Sequence, residues 1–143
     1  MTHRELVMLA RDLLHRRYRG LESVWPRAIA MLARRALESS IETYLFGSAS
    51  VRTPFTTQLI VLETRIPPDI ARRASITWAG LSRVCHYHGY ELPPTTDELR
   101  SWIDEVDVVL SALDPEVEGS PPEARVADDK TVSHLEKAEF NKA

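Results

Sequence analysis

Glycine and proline divide this chain into five stretches, and within each stretch apolar residues recur every three or four positions. That punctuation commits the sequence to short helices joined by abrupt breaks. Residues 3–19 carry Leu6, Leu9, Leu13, Leu14 and Tyr18 at helical spacing, with Gly20 as the expected stop. Pro26 suits a first helical position, and the helix it opens runs to Phe46, where Gly47 ends it. Its core stripe runs from Ile29 to Leu45, with Arg27, Arg34, Arg35, Glu38 and Glu42 expected to face outward. Glu38 is expected to pair with Arg34 or Arg35.

The third stretch begins at Pro54. Phe55, Leu59, Leu62 and Ile66 keep helical spacing, although its many Thr, Ile and Val residues would also suit a strand. Helix is preferred because no second strand is evident to pair with it. Pro67-Pro68 then opens a fourth helix, Asp69 to about Tyr87, with Ile70, Ala74, Thr77, Trp78, Leu81, Val84 and Cys85 as its inward stripe. Ala79-Gly80 lies off that stripe, on the side of Arg83, where small residues admit a second helix within the fold or across a dimer. Thr95 to Glu98 has the spacing of a capping box and opens a fifth helix to Leu113. The expected architecture is an all-α bundle of four to five helices over residues 1–114, followed by a flexible acidic tail over 115–143.

Length and composition bound the rest. The 143 residues fit one domain, and 43% hydrophobic with 27% charged residues is ordinary for a soluble protein. No apolar run approaches the roughly 18–20 residues of a membrane span. Charges at Arg4, Glu5, Arg11 and Asp12 leave no signal-peptide segment, and a single Cys forms no internal disulfide, so a cytoplasmic protein is expected. Charge is uneven along the chain. Residues 1–35 hold eight Arg against three acids, whereas residues 97–143 hold thirteen acids against five bases. A basic first third suits an anionic partner such as RNA; the plainer alternative is helices with charged outer faces.

Chemistry concentrates in Trp78 to Pro94, W-A-G-L-S-R-V-C-H-Y-H-G-Y-E-L-P-P, which holds His86, His88, the only Cys and two of four Tyr. Histidine readily exchanges protons near neutral pH, and Arg is a permanent cation suited to phosphate. On one continuous helix Arg83 and His88 would sit about 140° apart. They converge only if the helix unwinds before His88, and Gly89 with Pro93-Pro94 supplies the break. Each residue also has a structural alternative. Arg83 pairs with Glu91 or caps the helix, and His88 caps it likewise. His86 is a substitute base if the helix continues. Tyr87 and Tyr90 stack on bases, or pack against Trp78 or the fifth helix. Cys85, His86 and His88 do not converge as metal ligands, so no metal site and no cofactor are expected.

The R-x4-H spacing of Arg83 and His88 near a helix end, in a small all-α chain, resembles the signature of the HEPN superfamily. The segment L-A-R-R-A-L-E-S-S-I in the second helix resembles an early HEPN helix. The stretch W-x-x-L-S-R-x-C-H-x-H-x-Y-E-L-P-P-T also looks like small stand-alone HEPN-like proteins of high-GC actinobacteria. The resemblance covers about residues 25–113. It implies a homodimer that cuts RNA without a metal, with both copies of the motif facing one cleft. By position, Arg83 would stabilise charge on phosphorus and His88 would move the proton. It also implies a toxin or defence role, with an antitoxin or other protein partner. The residue after the motif Arg is often polar in active members and is Val84 here. That favours the alternative of a non-catalytic module binding nucleotide, RNA or protein. The chain has no P-loop, dinucleotide-binding glycine pattern, H-E-x-x-H or G-x-S-x-G elbow.

Overall fold

A computed structural model describes residues 1–16, 19–20, 22–50 and 52–114. These residues form five helices and, among them, no strand: α1 His3–His15, α2 Trp25–Phe46, α3 Phe55–Glu63, α4 Pro68–Cys85 and α5 Thr96–Leu113. The third stretch is thus helical despite its β-branched residues. Burying Leu59, Leu62 and Gln58 against α2 and α4 outweighs that local preference. The acidic tail expected over 115–143 lies outside the described residues. No described helix is long and apolar enough to cross a membrane.

Central helix α2 packs against all four others, while α5 also meets α1 and α4, and α3 leans on α4. Its inward face carries Ile29, Ala33, Ala36, Leu37 and Ile41, all fully buried. Opposite them stand Leu99, Ile103, Val106 and Leu110 of α5, with Ala74 and Leu81 of α4. The run of alanines on α2 brings neighbouring backbones close, and one glycine does the same on α4. A Cβ on Gly80 would fall inside the ring of Trp102, so the small residue serves packing within the fold.

Helix ends follow their local chemistry with two exceptions. Thr2 with Glu5, and Thr95 with Glu98, form complete capping boxes at α1 and α5. Gly47 ends α2 at φ +61°, a conformation that side chains resist. Helix α1, however, stops at His15 and not at Arg19. Arg16 is extended, and the Trp25 indole N–H donates to the carbonyls of Leu13 (2.6 Å) and Arg16 (3.1 Å). A side chain from the next helix thereby takes the acceptors that another turn would have used. Helix α4 likewise stops at Cys85, two residues before the expected Tyr87.

Candidate functional site at the exit of α4

Arg83 occupies the last turn of α4, where a cation complements the partial negative charge of the helix end. His86 follows as the cap, its backbone N–H donating to the Arg83 carbonyl at 3.1 Å. The chain then leaves the helix axis, so His88 lies in a loop and no longer follows the helical register. Glu91 shapes that loop from both sides. Its N–H donates to the His88 carbonyl (2.9 Å), and its carboxylate accepts from the His88 N–H (3.2 Å).

A clasp from α2 fixes the same exit. The Arg27 guanidinium donates to the Tyr87 carbonyl and lies 4.5 Å from the Tyr87 ring centroid, while the Tyr87 hydroxyl donates to the Ser23 carbonyl at 3.1 Å. Arg27 therefore does not simply face outward. It satisfies the Tyr87 carbonyl in the loop beyond α4 and ties that loop to the start of α2.

The five singled-out side chains now sort by commitment. Arg83, His86, His88 and Tyr90 are exposed, Tyr90 to 86%. Arg83 makes no ion pair or side-chain hydrogen bond among the described residues, and Glu91 holds the loop backbone and not the arginine. The His88 and Tyr90 rings stack at 5.3 Å between centroids and 10° between planes. Tyr87 is half-buried and spent on Arg27 and Ser23. The Arg27 guanidinium already covers one face of its ring. Tyr90 is the aromatic with a free surface. The α4 exit thus carries an exposed Arg83 that is unpaired among the described residues, two exposed histidines and, stacked on one of them, an exposed tyrosine. Among the described residues no group of three or more His, Cys, Asp or Glu could hold a metal ion.

A second cluster escaped the sequence reading. Glu38, expected on the outer face, is only 16% exposed. Its carboxylate accepts from Arg34 Nε at 2.9 Å and from the Trp78 indole N–H at 3.0 Å. Arg34 stands 5.3 Å over the Trp78 ring, and Phe55 packs on Trp78 with centroids 5.4 Å apart. The pairing with Arg34 is as expected; the bond to Trp78 is not. Cys85 borders the cluster, and burial raises its thiol pKa against the opposing charge and hydrogen bond of Arg34. That leaves the cysteine a protonated packing residue. Arg34 Nε and the Trp78 indole N–H share Glu38 Oε1, so the network ties α2 to α4 beside the site. A warning was available in the sequence: a Trp on a core stripe needs an acceptor for its N–H.

Comparison with protein-family models, with curated proteins and with solved structures finds no match to this chain.

Proposed function

We propose that the chain is a HEPN-like, metal-independent endoribonuclease that acts as a homodimer through the exit of α4. One observation carries this reading: α4 ends between Arg83 and His88, leaving both side chains exposed and Arg83 unpaired among the described residues, while Arg27 and Glu91 tether the loop between and after them. In the proposed reaction the ribose 2′-oxygen attacks the adjacent phosphorus as a histidine accepts its proton. The bond from phosphorus to the 5′-oxygen breaks, and that oxygen leaves with a proton from an acid. The products are a 2′,3′-cyclic phosphate and a 5′-hydroxyl. His88 is the proton carrier, with His86 close by as the second titratable group, and Arg83 stabilises charge on the non-bridging oxygens. A dimer supplies two copies of each group to one cleft. Tyr90 offers a base its exposed ring, and any protein that neutralises the enzyme would cover this exit.

A second reading has its own support. Val84, next to Arg83, packs partly against the core, and the His88–Tyr90 stack is a surface that binds a base without cutting it. Under that reading the exit is a binding module. RNA cleavage in EDTA separates the two. Arg83→Ala and His88→Ala are each expected to lower the cleavage rate by about 10²–10⁴-fold, with 2′,3′-cyclic phosphate ends in the wild-type product. Absence of cleavage by a folded dimer, with retained RNA binding, selects the binding module.

A further inference from the structure

A cavity of about 690 Å³ opens between the connection that precedes α2 and the connection that precedes α5. Sites for small organic ligands span about 300–1,000 Å³. Trp25 and Pro26 form one wall and Pro93-Pro94 another, with Arg19 and Glu22 also lining the space. The Trp25 ring is anchored by its N–H on the carbonyls of Leu13 and Arg16, so it presents a fixed apolar surface to the cavity. Arg19 forms no ion pair among the described residues. Glu22 accepts from the Gly20 N–H at 3.2 Å, and backbone hydrogen bonds hold its carboxyl below the usual range. It therefore remains an acceptor at neutral pH.

The cavity adjoins the α4 exit through shared chain. Ser23 and Arg27, flanking the Trp25-Pro26 wall, are the two residues that clasp Tyr87, and the loop from His86 leads directly to Pro93. We infer that the cavity is a subsite for one unpaired nucleotide of a single-stranded RNA whose neighbouring phosphate lies at the exit; this rests on the RNA reading of that exit. The base lies against Trp25 and the prolines, and Arg19 takes a phosphate. Glu22 accepts from the base edge. A carboxylate suits guanine, which presents adjacent N–H donors, and disfavours uracil, whose single N–H is flanked by carbonyl oxygens.

The test uses the full chain and fluorescein-labelled hexanucleotides with 2′-O-methyl riboses, which bind but cannot be cut. One is all uridine and the other carries a single guanosine. Fluorescence anisotropy is expected to give about tenfold tighter binding of the guanosine oligonucleotide. Glu22→Gln is expected to erase that preference, and Arg19→Ala to weaken both oligonucleotides about tenfold. Both residues are exposed, and circular dichroism verifies that the variants fold. Equal binding of the two oligonucleotides, or indifference to both substitutions, overturns the subsite. Displacement of the RNA by a proline-rich peptide with no guanosine preference overturns it as well. A guanosine preference that persists in a chain unable to cleave RNA keeps the subsite and removes only the ribonuclease reading.

Discussion

Along the seam between α1 and α5, charge is matched residue by residue. Arg11 reaches both Asp104 (2.7 Å) and Asp107, while His3 and Arg4 meet Asp114 at 3.0 and 3.7 Å. Burial opposes the charge on Arg11, yet its hydrogen bonds to Asp107 and Asp104 more than offset this and raise its pKa. At the exit of α4 the pattern reverses: among the described residues neither Arg83 nor His86 makes an ion pair, and the Glu91 carboxylate is turned onto the His88 backbone. Even within α4 the contrast holds, since Arg73 makes two 3.0 Å bonds to Glu105 and Arg83 makes none. Matched charge serves the packing of helices; unmatched charge at the end of a helix leaves a cation exposed to solvent.

The comparison is most exposed to failure at its functional end. Arg83→Ala and His88→Ala are expected to abolish most cleavage while shifting the melting temperature by less than about 2 °C, because surface substitutions usually fall within about 0.5 kcal/mol. A variant that loses activity and stability together would mean that the exit is a structural joint. On the packing side, Gly80→Val is expected to cost about 2–3 kcal/mol by driving side-chain atoms into Trp102. Urea unfolding measures it, and an unchanged midpoint would show that α4 and α5 repack freely. Glu38→Ala should cost about 1–3 kcal/mol, since it strands the half-buried Arg34 guanidinium and Trp78 N–H. If Glu38→Gln, which keeps an acceptor, recovers much of that loss, the network acts through its hydrogen bonds.

Smallest of all is the pH response of the matched pairs. The Glu105 carboxyl is held below its usual range chiefly by its hydrogen bond from Arg73. A lowered folded-state pKa contributes stability above the unfolded carboxylate pKa, and that contribution is lost as pH falls through the lowered value. The pair is largely solvent-exposed, so water and salt screen it and the effect is small. Thermal melts of wild type and Glu105→Gln from neutral to acid pH should therefore converge at the acid end.

Element identity was readable because it rests on local periodicity and on caps. T-T-D-E at Thr95 and Gly47 after Phe46 both act where the sequence puts them. The α5 face from Leu99 to Leu113 buries as its spacing requires, with Trp102 half-buried on Gly80. What escaped were contacts between helices distant in sequence. The Trp25 indole shortens α1, Arg27 takes a carbonyl sixty residues away, and Glu38 turns inward to meet Trp78. Polar side chains at intermediate angles on a helix belong to neither face until the neighbour is known. The break before His88 is legible in Gly89 and the prolines, but these residues are only part of its cause. In the structure the helix has already ended at Cys85, and Arg27 and Glu91 hold the chain that follows.

Because α2 touches every other helix, the molecule has no half that can open while leaving it covered. Amide protons in the middle of α2 are expected to exchange with deuterium only when the whole domain unfolds. Those of the loop after Cys85 should exchange faster, by small local openings. RNA bound at that loop would slow the loop amides and leave the α2 amides at the pace of global unfolding, so the two sets of protons would report ligand and fold separately.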